Sequence, residues 1–72
     1  MTPALLRACG RALYGERFVA PLAARLGYHK KTLHRWLDGE FNPPADLPEK
    51  LLPLLLERRG ELADLILSVR PS

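Results

Sequence analysis

Glycine and proline divide this chain of 72 residues into segments whose apolar residues are spaced as in α-helices. Thr2 and Pro3 form a favourable helix start, with the threonine as N-cap and the proline in the first turn. The expected helix ends and breaks are, in chain order, Gly15, Gly27, Gly39 and the pair Pro43-Pro44. No segment has the alternation of a strand. We therefore predict an all-α fold, a compact four- to five-helix bundle.

The middle of the chain predicts two short helices. The second helix is expected to begin near Arg17 and to end at Gly27. The third is expected to run from about Lys30 to Asp38, and Gly39 follows it. Ala23, in the second helix, is small enough to let the two helices approach closely.

The fourth helix is expected to start at Leu47. Asp46 and Glu49 have the spacing of a capping box. Pro53 is expected to bend or break the helix, because it lacks an N–H and clashes with the preceding turn. The sequence leaves open whether Gly60 separates two helices or only weakens one.

Length and charge favour a binding role over catalysis. A chain of 72 residues forms one small core and rarely also supports a catalytic pocket. Cys9 is the single cysteine, which rules out an internal disulfide and favours a reducing compartment, the cytoplasm. The formal charge is +3, and the segment 17–37 holds five Lys or Arg and no acid. Such a concentration of positive charge favours an anionic partner.

The third helix is expected to have two different faces. Leu33, Trp36 and Leu37 fall on one side when residues are placed at about 100° intervals. Donor side chains fall on the other side, namely Lys30, Lys31, His34 and Arg35. A helix with an apolar face for packing and a face of hydrogen-bond donors fits the major groove of B-DNA.

The stretch LAARLGYHKKTLHRWLDGEFNPP resembles the helix-turn-helix of the lambda-repressor and Cro-type family. The positions that agree with the family pattern are Leu22, Ala23, Gly27, Thr32, Leu33, Arg35, Trp36, Gly39 and Pro43 or Pro44. The resemblance implies a helix-turn-helix DNA-binding domain over residues 1–60, with a recognition helix at 29–38. It also implies a transcriptional regulator of phage or bacterial type, most simply a repressor that covers a promoter.

The resemblance assigns the DNA contacts by position. The expected base contacts are Lys30, Lys31, His34 and Arg35. The expected phosphate contacts are Arg17, Phe18, Tyr28, His29, Thr32, Phe41 and Asn42. We expect no cofactor, no metal ion and no small-molecule ligand.

The C-terminal leucines predict a homodimer. They occupy most of the circumference of a helix that so short a chain cannot cover alone. The expected interface residues are Leu51, Leu52, Leu55, Leu56, Leu62, Leu65, Ile66 and Val69, so that residues 61–72 form a helical extension that acts with 47–60. Two recognition helices about 34 Å apart would then read two half-sites one turn apart.

Two other classes of function remain open. The first is a protein-interaction module, such as an antitoxin-like or phage accessory protein, that binds its partner through the C-terminal leucines. The second is an enzyme, which is disfavoured because Glu16, Asp38 and Glu40 do not obviously converge. Metal binding is disfavoured because His29 and His34 do not share one helical face.

Overall fold

The computed structural model describes residues 1–70, and within this range the chain is entirely helical, without strands. Its four helices are α1 (Pro3–Tyr14), α2 (Val19–Leu26), α3 (Lys30–Leu37) and α4 (Leu47–Val69). The predicted all-α class is confirmed, with four helices rather than five. No helix in residues 1–70 combines the length and apolarity needed to cross a membrane.

The ends of α1 follow the predicted capping. The Thr2 side-chain oxygen accepts a hydrogen bond of 3.1 Å from the N–H of Leu5, and Pro3 lies in the first turn. Gly15 ends the helix with a φ of 81°, which glycine adopts without a steric penalty. The second helix starts at Val19, two residues later than predicted. Phe18 precedes it as N-cap residue and makes no side-chain capping bond.

One apolar core joins all four helices. Its buried members are Leu6, Leu13, Phe18, Leu22, Ala23, Leu33, Trp36, Leu37, Leu47 and Leu51. Gly10 permits a close approach within this core, because a Cβ at that position would overlap the ring of Phe18. The ring therefore packs directly on the backbone of α1.

A tight connection sets α3 against α2. Gly27 adopts the left-handed conformation, with φ 80° and ψ 24°. The N–H of Tyr28 then donates to the carbonyl of Ala23 over 2.9 Å. Ala23 is buried in the core. This geometry fixes where α3 begins and which side it buries.

The fourth helix is continuous from Leu47 to Val69, so Gly60 does not divide it. Of the bend or break predicted at Pro53, the break is wrong, because α4 continues through this residue. Pro53 has no N–H, so the carbonyl of Glu49 loses its usual hydrogen-bond donor within the helix. Both residues are exposed, so water can donate to that carbonyl instead.

The predicted capping box at the start of α4 is also wrong. Asp46 is the N-cap residue, but its side chain makes no capping bond. Its φ of −88° and ψ of 2° depart from the extended conformation that a capping box requires. Its carboxylate lies instead 3.8 Å from the Lys50 ammonium, one turn along the helix.

The molecule is elongated and measures 50 × 22 × 20 Å, because the last turns of α4 extend beyond the other helices. Arg58 donates to the carbonyl of Leu13, near the end of α1. Every described residue after Arg58 is exposed. We call residues 1–58 the body and residues 59–70 the projecting segment. The predicted compactness therefore holds for the body alone. Pro71 and Ser72, which belong to the predicted extension, lie outside the described residues.

Candidate nucleic-acid interface

The third helix has the two faces that its sequence predicts. Leu33, Trp36 and Leu37 are buried in the core. Lys30, Lys31, His34 and Arg35 are exposed. The anchoring of the apolar face fixes the helix, so that the four donor side chains form one exposed surface on the body. We call these four residues the donor face.

The cations of the described chain divide into those that pair with a carboxylate and those that do not. Within residues 1–70, Arg25, Lys50 and Arg58 each pair with a carboxylate, at 3.2 Å, 3.8 Å and 3.7 Å. No cation of the donor face forms an ion pair with any described residue. Its positive charges are therefore directed to solvent without compensation by a neighbouring carboxylate.

The start of α3 adds a positive end to this surface. His29 is the N-cap residue, and its Nδ1 accepts a hydrogen bond of 3.1 Å from the N–H of Lys31. An accepting Nδ1 means that Nε2 carries the proton in the neutral ring, so His29 can donate outward. The first turn of α3 contains no acid. The partial positive charge of the helix terminus is therefore available to an anion.

The loop after α3 returns to the donor face. The N–H of Glu40 donates to the carbonyl of Arg35 over 3.0 Å, which directs the chain back along the helix. The guanidinium of Arg35 then lies 5.6 Å from the centre of the Phe41 ring. Phe41 is 53% exposed. Stacking on the ring limits the orientations of the guanidinium and leaves its N–H groups free to donate.

Tyr28 has a supporting place beside α3. Its ring is half-buried and meets Trp36 edge to face, with centroids 4.8 Å apart. Its hydroxyl accepts a hydrogen bond of 3.0 Å from Lys50, and this bond raises the pKa of Lys50. Lys50 was not among the predicted site residues. No local pattern marks it, because it comes close to the turn only through the packing of α4.

The remaining residues predicted to contact phosphate differ in their exposure to solvent. Arg17 and Asn42 are exposed, and Thr32 is half-buried. Phe18 is only 2% exposed, so the prediction that its side chain contacts phosphate is wrong. The reason is its packing against the backbone of α1 at Gly10.

The residues predicted to form the dimer interface also differ in their exposure to solvent. Leu51 is 1% exposed and belongs to the core of its own chain, so its assignment to a dimer interface is wrong. Leu55 is half-buried against that core. The other six are exposed, namely Leu52, Leu56, Leu62, Leu65, Ile66 and Val69.

Neither a deep cleft nor a group of three metal-binding side chains occurs within residues 1–70. Comparison with protein-family models, with curated proteins and with solved structures found no match for the chain. The family resemblance therefore stays a prediction from the sequence.

Proposed function

We propose that this protein is a sequence-specific regulator of transcription that binds double-stranded DNA. In this proposal α2 and α3 form a helix-turn-helix, and the recognition helix 29–38 enters the major groove. Two copies bind a two-fold-related operator, and their occupancy of a promoter represses transcription.

The observation that carries the proposal is the unpaired donor face of α3. Lys30, Lys31 and Arg35 form no ion pair with any described residue, and they lie close together on one exposed face of α3. Charges without a partner in the chain are available to phosphates and to the acceptor atoms of bases. The buried Leu33 and Trp36 hold these side chains on a rigid helix. Recognition of a DNA base sequence requires donor groups that are held in place in this way.

Different parts of this surface would provide the affinity for DNA and the specificity for its sequence. Contacts to phosphate release counterions and provide most of the affinity. His29 and the start of α3 suit this role, because the ring donates outward and the helix end is positive. Arg35 suits base recognition, because a guanidinium can donate two bonds to guanine O6 and N7. Its stacking on Phe41 reduces the entropy lost on binding.

The test is DNA affinity measured by fluorescence anisotropy over a range of salt concentrations. Lys31→Ala, which removes a predicted base contact, is expected to weaken binding to the preferred sequence by about 1–3 kcal/mol. Arg35→Ala is expected to cost about 1–3 kcal/mol on the preferred sequence and to relax the choice of base.

Arg59→Ala is the matched control. It removes the same charge from an exposed position on the projecting segment, away from α3. We expect its affinity and salt slope to stay close to those of the unaltered protein. If Lys31→Ala and Arg35→Ala also leave affinity and sequence choice unchanged, the proposal is wrong.

A protein-interaction module is the second candidate, and the exposed apolar residues of the projecting segment favour it. Such a module would bind a partner protein through these side chains and would not need duplex DNA. The salt titration separates the two candidates. Binding that weakens steeply with salt supports the regulator, whereas no binding to duplex DNA even at low salt supports the module.

A further inference from the structure

The core-facing stripe of α4 continues past the point where the body ends. Leu47 and Leu51 pack into the core, and the half-buried Leu54 and Leu55 follow. At about 100° per residue, Leu62, Leu65, Ile66 and Val69 lie on the same side of the helix. All four are exposed. We call these four residues the free stripe.

No described segment of the chain covers the free stripe. α1 lies on this side of α4, but its end is marked by the hydrogen bond from Arg58 to the carbonyl of Leu13. Leu62 lies one turn further on. The other helices are engaged in the body. We propose that the free stripe is covered by the free stripe of a second copy of this chain, with the two α4 helices antiparallel.

The side on which α1 lies decides the direction of pairing. A parallel pair would place both bodies at the same level and on the stripe side of each helix, where they would occupy the same space. An antiparallel pair places them at opposite ends. The tip of each helix then lies about one turn from the end of the other chain's α1, if the helices cross between Leu65 and Ile66.

Charge favours the same arrangement. Within the projecting segment two basic residues, Arg59 and Arg70, balance two acidic residues, Glu61 and Asp64. The formal charge of +3 is therefore carried by the body. Two neutral segments meet without net repulsion, and the antiparallel direction keeps the two positive bodies far apart.

The size of the contact sets its expected strength. Two helical turns cover less surface than the roughly 1,200 Å² at which stable protein interfaces begin. We therefore expect a dimer with a dissociation constant in the micromolar range. The inference specifies the dimer of the proposed function, but it stands on α4 alone and its test contains no DNA. A failure here is thus distinguishable from a failure of DNA binding.

The first measurement is the mass in solution by sedimentation equilibrium. The unaltered protein should pass from monomer to dimer as its concentration rises. Leu65→Glu should raise the dissociation constant at least about tenfold. Leu67→Glu is the matched control, because Leu67 is 67% exposed on the same segment but lies on a different side of the helix. It should leave the dissociation constant unchanged.

Circular dichroism of both variants shows whether the fold is retained, and neither substituted residue belongs to the core. A monomer at every concentration would overturn the proposal. An equal loss of dimer in the two leucine variants would overturn the assignment of the interface to the free stripe.

The second measurement tests the direction of pairing. A spin label is placed at Glu49→Cys in a Cys9→Ala background, and the distance between labels is measured by pulsed electron resonance. Glu49 is exposed in the first turn of α4. An antiparallel pair that crosses near Leu65 predicts a distance of about 50 Å at 1.5 Å per residue. A distance near 20 Å, close to the spacing of two parallel packed helices plus labels, would overturn the antiparallel arrangement.

Discussion

The two halves of α4 carry the same stripe of apolar residues, but the stripe is buried in the first half and exposed in the second. Leu51 and Leu65 lie on the same side of α4, yet Leu51 is 1% exposed and Leu65 is 61% exposed. The difference is that α1 ends between them, at the level of Arg58. An apolar stripe therefore predicts that some surface will cover the helix, but it does not show which chain supplies that surface.

We expect the largest difference in stability between the two halves of α4 when these two leucines are truncated. Leu51→Ala should lower the free energy of unfolding by about 2–5 kcal/mol, because it leaves a cavity in the core. Leu65→Ala should lower it by less than about 1 kcal/mol when the protein is dilute and monomeric, because its side chain already contacts water. Urea denaturation measures both. Equal losses would show that the projecting segment is packed within the monomer.

Two glycines test the same contrast through the backbone. A methyl group at Gly10 would overlap the Phe18 ring, so Gly10→Ala should destabilise the protein by about 1–3 kcal/mol. At Gly60 no heavy atom lies within 4 Å of an added Cβ. Gly60→Ala should therefore stabilise the helix by about 0.5–1 kcal/mol. Thermal melting shows whether each substitution raises or lowers the stability of the protein. A gain in stability for Gly10→Ala would contradict the packing of Phe18 on α1.

Adjacent arginines locate the boundary between the two halves. Arg58→Ala removes the hydrogen bond to the Leu13 carbonyl and the exposed ion pair with Glu61, and should cost about 1 kcal/mol, most of it from the hydrogen bond. Arg59→Ala, one residue further, is the control and should cost close to nothing, because Arg59 is exposed. Should both substitutions cost the same, Arg58 would not mark the end of the body.

The smallest expected effect concerns Cys9 in the core of the body. Burial raises the pKa of its thiol above the ordinary value of 9.0. The unfolded chain then loses this proton at a lower pH than the folded chain, so stability should fall as the pH rises above about 9. Urea denaturation at pH 8 and 10 measures the fall and stays below 10.5, the ordinary pKa of lysine. The Cys9→Ala variant should show a smaller fall; an identical fall would exclude Cys9 as its source.

Local sequence predicted the elements whose determinants are local. The cap at Thr2, the left-handed Gly27 and the buried face of α3 depend on residues within a few positions of each other. The errors arose where tertiary packing decides. Phe18 and Leu51 were predicted to be available for contacts, but Gly10 and the packing of α1 against α4 place both in the core.

The surroundings of the candidate interface were the least predictable part. Nothing near Tyr28 in the sequence indicates its hydrogen bond with Lys50, which lies 22 residues later. The stacking of Arg35 on Phe41 depends on how the loop after Gly39 turns back. The exposure of the four donor side chains was predictable, because the apolar residues between them fix the orientation of α3. Their role in binding DNA stays a prediction.

The most direct test of the proposed function is selection of bound duplexes from a random DNA pool, read by sequencing. We expect an enriched motif made of two related half-sites in inverted orientation, as a two-fold dimer requires. We also expect Arg35→Ala to relax the preference at one position of each half-site. A pool that returns no enriched motif would contradict sequence-specific recognition by α3.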